Sequence, residues 1–167
     1  MNRPQAHEYP AWAETYIKLV EGDVLFLLER QAAEFPDFVS SLVEKADHAY
    51  APGKWTIKEM IGHIIDTERV FSYRITCFAR GEQQPLPGFD EAEYAASAHF
   101  SDRSLLSLAH EFSLLRRSNL YLYRSLTEAE LDRKGNASGR EITVRAILYM
   151  TAGHLIHHTQ IIKERYL

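Results

Sequence analysis

Three of the eight histidines in this chain fall within five residues, in the run GHLIHH at 153–158. Neutral imidazole can move protons or ligate borderline divalent ions, so spacing decides which chemistry the run offers. At about 100° per residue in a helix, Val144, Ile147, Leu148, Thr151, Leu155, Ile162 and Tyr166 share one face. His158 falls within that face and His154 on its flank, whereas His157 turns toward solvent as a surface residue or an outer hydrogen-bond donor. Two imidazoles at i and i+4 on a core-facing surface can grip one ion.

A divalent ion bound at neutral pH generally takes at least three protein ligands. Upstream, Ile57, Met60, Ile61, Ile64, Phe71, Ile75 and Phe78 form another apolar face, and His63 sits on its flank. Three imidazoles from two helices would leave the remaining coordination positions open to water or substrate, an arrangement for chemistry more than for scaffolding. The plainer alternative is that each is a hydrogen-bonded histidine at the edge of a core.

The elements that must position these residues read as helices. From Trp12 to about Glu34, Trp12, Tyr16, Leu19, Val20, Val24, Leu27 and Leu28 recur at helical spacing, and Pro36 then interrupts. A shorter piece follows from Phe38 to Val43, and Ala-Pro-Gly at 51–53 closes the connection. Thr56 and Glu59 make a capping box, predicting a second helix that reaches about Arg80 and ends at Gly81. Residues 81–100 read as a long crossover with a short helix near Asp90 to Ala96. A third helix, capped by Ser101 or Asp102, runs to about Leu126, and Thr127 with Glu130 repeats the capping pattern. KGNASG at 134–139 reads as a loop before a fourth helix, from Thr143 to Tyr166. The expectation is one all-α domain, residues 1–167, built as a four-helix bundle with long crossover connections.

Composition narrows the function. Apolar residues are 46% and charged residues 25%, ordinary values for a folded globular chain. A net charge of −4 disfavours nucleic acid as a partner, because phosphate binding needs a basic footprint. The single cysteine, Cys77, excludes an internal disulfide and suits a reducing cytoplasm. The N-terminus has no apolar core of signal-peptide length and no stretch approaches the ~20 apolar residues of a membrane span. A soluble, unprocessed protein is expected, with no membrane partner.

APGKWTIKEMIGHIIDTERVFSYR at 51–74, PLPGFDEAEY at 85–94 and AGHLIHHTQIIKERYL at 152–167 together resemble the DinB/YfiT-like superfamily. That resemblance implies a crossed four-helix bundle and a zinc or nickel ion on His63, His154 and His158. It also implies one of two activities: transfer or isomerisation of substrates joined to a low-molecular-weight thiol, or metal-dependent hydrolysis. Both use the same chemistry, lowering the pKa of a thiol or of water at a dipositive ion. Asp90 and Tyr94 match the family pattern and are implied to roof the site; as a residue, Asp90 reads equally well as a helix N-cap. Arg74 shares the helix stripe of His63, and Arg165 that of His154 and His158. Either can hold a substrate carboxylate, although each stands roughly 16 Å from its histidine, where a surface salt bridge is the competing role. Trp55 reads as a core anchor and Asp66 as a solvated or partner-facing charge. Relatives pair through bundle faces, so a homodimer is implied. The competing class is a non-catalytic, stress-associated bundle for binding or dimerisation.

Overall fold

The computed structural model describes residues Met1–Leu167. Its long helices are α2 (Val24–Ser40), α3 (Ile57–Ala79), α5 (Leu105–Ser125) and α7 (Val144–Arg165); the shorter α1 (Glu14–Ile17), α4 (Glu91–Ser97) and α6 (Glu128–Leu131) lie between or before them. Local chemistry sets several of these limits. Thr56 accepts the amide of Glu59 while the Glu59 carboxylate accepts the amide of Thr56 at 2.7 Å, so α3 begins at its predicted capping box. It ends where Gly81 adopts φ +85°, a conformation that side chains resist. Thr143 caps α7 by accepting the amide of Ala146 at 3.1 Å.

The predicted first helix is broken. Two 3-10 turns, Ala6–Glu8 and Ala11–Ala13, lead into the single turn of α1. The chain then swings through Gly22 at φ +71° and restarts where Asp23 accepts the amide of Phe26 at 2.9 Å. A positive-φ glycine followed by a capping aspartate outweighs continuous apolar spacing. Conversely, Pro36 does not interrupt α2. Proline removes the donor that would satisfy the carbonyl of Ala32, and Ser113 of α5 donates its hydroxyl there instead, at 3.2 Å. The third long helix starts at Ser104, not at Ser101 or Asp102, which lie in a 3-10 turn after His99.

KGNASG is not a plain loop. It builds an antiparallel hairpin, β1 (Lys134–Ala137) and β2 (Arg140–Thr143), turning through Ser138 and Gly139 at φ 55° and 75°. The crossover docks on it: the amide of Leu86 donates to Asn136 and that of Ser138 donates to Leu86.

Around the bundle the order is α2, α5, α3, α7, so α2 to α3 and α5 to α7 are diagonal steps, the expected crossed topology. The core divides in two. One cluster joins the N-terminal halves of α2 and α7 to the C-terminal halves of α3 and α5; the other joins the opposite halves. Thus α2 and α7 run together, antiparallel to α3 and α5, and polar residues occupy the level between the clusters. No helix is long and apolar enough to cross a membrane.

Candidate metal centre

His63 from α3 and His154 and His158 from α7 meet at that level, each at most 7% exposed. Their Nε2 atoms form a near-equilateral triangle: 3.1 Å from His63 to His154, 3.2 Å from His63 to His158 and 3.0 Å from His154 to His158. Burial drives all three toward the neutral form. It pulls His63 down to about 4 and, with the neighbouring imidazoles, His158 to about 3; His154 falls well below its ordinary value for the same reasons. With protons on Nδ1, three lone pairs face one another at a spacing that repels unless a cation lies among them.

The donor set fits such an ion. Tetrahedral zinc at 2.0–2.1 Å from nitrogen requires nitrogens roughly 3.3–3.4 Å apart, a few tenths of an ångström wider than the triangle. Three neutral donors with no thiolate or carboxylate among them suit zinc, nickel or another imidazole-seeking ion.

Neighbouring groups hold the rings. Thr67 Oγ1 lies 3.5 Å from His63 Nδ1, one turn further along α3, which favours the tautomer with Nε2 free. Trp55 is half-buried and stacks on His63 with ring centroids 4.8 Å apart, so it covers the site as well as anchoring the chain. His158 Nδ1 is buried without a hydrogen-bond partner, and its ring is held edge-on by His157, 5.0 Å away. His157 is only half-exposed and also meets Tyr16 edge-on.

Two glycines permit this closeness. A Cβ on Gly153 would strike the backbone of Tyr16, and one on Gly62 would strike the ring of Phe100. Each directly precedes one of the clustered histidines, so other segments press onto the helices beside them.

Beside His154 opens a cavity of about 210 Å³, walled by Trp12, Tyr16, Phe71 and Phe89, with Thr67, Arg74 and Ser138 further round. The structure sorts the predicted substrate residues against it. Arg74 lines the cavity and is 7% exposed; no carboxylate pairs with it, which removes the salt-bridge reading. Asp90 is the N-cap of α4, accepting the amides of Ala92 and Glu93 at 2.9 Å each, and its neighbours Phe89 and Glu91 line the cavity in its stead. Tyr94 is 48% exposed against Phe89, outside the lining. Arg165 is exposed on Tyr50, donating to its hydroxyl at 3.2 Å, and does not reach the cavity. Asp66 pairs with Arg69 at 3.3 Å.

Sequence reasoning missed the buried network beneath the histidines. Arg116 donates to Glu68 at 2.7 Å and to Gln31 at 2.6 Å, and Gln31 donates to the carbonyl of Ala152 at 3.0 Å, tying all four long helices together. The signal was present: Gln31, Glu68 and Arg116 each occupy an apolar stripe, Arg116 four residues from both Phe112 and Leu120.

A crossed four-helix bundle with three convergent buried imidazoles defines a class of candidate metalloproteins. Residues 27–162 match the family described as the DinB superfamily, and the chain belongs to it. Among solved structures, YfiT from Bacillus subtilis, described as a probable metal-dependent hydrolase with an unusual four-helix bundle topology, superposes with a TM-score of 0.72. Sequence identity is 18%, over 97% of this chain and 92% of that one. The mycothiol-dependent maleylpyruvate isomerase superposes with a TM-score of 0.64 at 20% identity, over 81% of this chain and 58% of that one. A search of curated proteins found no match.

Proposed function

We propose that this chain is a metal-dependent enzyme acting on a small molecule, as a thiol-dependent S-transferase or a hydrolase, with zinc or nickel on His63, His154 and His158. The observation that carries the reading is the triangle of buried, neutral Nε2 atoms beside a cavity large enough for a substrate. A divalent ion on three neutral imidazoles keeps its full charge and supplies Lewis acidity that lowers the pKa of a thiol or of water. The surrounding residues do the rest. Thr67 and Trp55 orient His63, while Tyr16, Trp12 and Phe71 wall the cavity and limit water around a bound molecule. YfiT and the isomerase support one branch each, the first by its description as a probable hydrolase and the second by its thiol dependence.

The test is to purify the chain free of metal, add zinc or nickel, and assay two reactions: hydrolysis of small esters and amides, and transfer of a low-molecular-weight thiol to an electrophile. Stoichiometric uptake with metal-dependent turnover in one assay supports the proposal. Absence of stoichiometric uptake overturns it in favour of a non-catalytic binding or dimerisation bundle. We place the protein in the cytoplasm, as one free cysteine suggests. A homodimer is supported by Leu106, Leu114 and Tyr121, which are exposed along one side of α5.

A further inference from the structure

Three arginines are buried in this protein, and two are neutralised. Arg116 pairs with Glu68, and Arg145 pairs with Glu128 and Asp132. Arg74 is the exception. Its Nη2 donates to the carbonyl of Pro87 and to the hydroxyl of Ser138, both at 2.9 Å, and both acceptors are neutral. Its Nη1 and Nε make no hydrogen bond within the protein, and Arg74 lines the same cavity as His154. A buried guanidinium without a counter-charge is unfavourable, and the tendency is to find an anion for it.

Its supports come from separate parts of the chain. Pro87 belongs to the crossover and Ser138 to the hairpin turn, and these are the segments joined by Leu86 pairing with β1. The hairpin and the docked crossover therefore serve a purpose that helix packing does not require: they fix one edge of a guanidinium and leave its other donors free. The remaining charged groups on the cavity are Glu91 and Arg140, both exposed at its edge, and neither forms an ion pair with Arg74.

We propose that Arg74 is the anion-binding residue of the cavity and that the substrate is an elongated small molecule with a carboxylate at one end and an apolar body. The carboxylate sits on Arg74, the body lies against Trp12, Tyr16, Phe71 and Phe89, and the reactive end is directed to His154. An extended shape follows from α3, on which the backbones of Arg74 and His63 are about 16 Å apart along the axis at 1.5 Å per residue, a span that the Arg74 side chain shortens by leaning back toward the helix N-terminus. This assignment rests on reading the cavity as the substrate pocket of the metal centre, but the anion site can be tested without the metal.

The experiment is calorimetric titration of the full chain with 4-phenylbutyrate and its uncharged amide, with and without zinc, in wild type and in Arg74→Gln and Arg74→Lys. The carboxylate is expected to bind roughly ten- to a hundredfold more tightly than the amide, with or without zinc. Arg74→Gln is expected to erase that preference and Arg74→Lys to restore part of it, while zinc uptake stays as in wild type. Equal affinity for acid and amide in wild type overturns the assignment. So does a preference that survives Arg74→Gln and is seen only when zinc is bound, since the carboxylate is then ligating the ion. If Arg74→Gln is misfolded, Ser138→Ala, which removes one support from an exposed turn, is expected to weaken the preference, and an unchanged preference overturns the assignment. Loss of zinc uptake in wild type with the acid preference intact refutes the metal reading and leaves the anion site standing.

Discussion

Glu68 and Arg116 form an ion pair at 2.7 Å, with side chains 2% and 1% exposed, at the level where the two apolar halves of the core meet. Breaking a buried pair strands a charge and typically costs about 3–5 kcal/mol, whereas apolar replacement of both partners is far milder. Arg116→Met or Glu68→Leu alone is therefore expected to lose that much stability in urea unfolding. The double variant should lose markedly less, and additive losses would show that the two residues act independently.

Zinc is expected to stabilise the folded chain through the histidine triangle. At about 100 times its Kd it adds roughly 2.7 kcal/mol, a rise of about 5–10 °C in Tm for a chain of this size. His158→Ala should abolish the rise. His157→Ala, which touches His158 only edge to ring, should retain most of it.

The metal-free protein should weaken in acid. An unfolded histidine protonates near 6.5, whereas burial holds His63 at about 4 and His158 at about 3. Below 6.5 the unfolded chain takes up protons that the folded chain refuses, so stability is complete above that pH and drains away as pH falls toward 4 and then 3. The unfolding free energy from urea titrations between pH 7.5 and 5 should fall by about 1 kcal/mol per pH unit on average, and His63→Gln should flatten the slope.

Gly153→Ala is expected to destabilise by roughly 1–3 kcal/mol despite alanine's better helix propensity, because the added Cβ meets the backbone of Tyr16 and not a flexible side-chain end. The same change should loosen α1 from α7 and lower zinc affinity. Gly139→Ala, at φ +75° on an exposed turn, strains the hairpin instead and should leave zinc binding alone. Comparing the two by thermal unfolding and zinc titration separates crowding at the site from turn strain.

Helical periodicity and capping chemistry are local, so the features that depend on them are readable in the chain before it folds. The start of α3 at Thr56, its end near Gly81, the span of α7 and the inward placement of His154 and His158 over His157 were all legible from spacing. His63 became a ligand in the reading only through the motifs that resemble the DinB family. Features that depend on partners distant in sequence emerge only when the helices pack. Ser113 rescues the carbonyl opposite Pro36, so α2 continues where local rules end it. Leu86 pairs with β1, which turns a loop into a hairpin and brings Ser138 to Arg74. Asp90 was spent on its own helix, and Arg165 settled on Tyr50. A charge within an apolar stripe announces that it will be buried, but which opposite charge meets it is fixed only when α3 and α5 pack side by side.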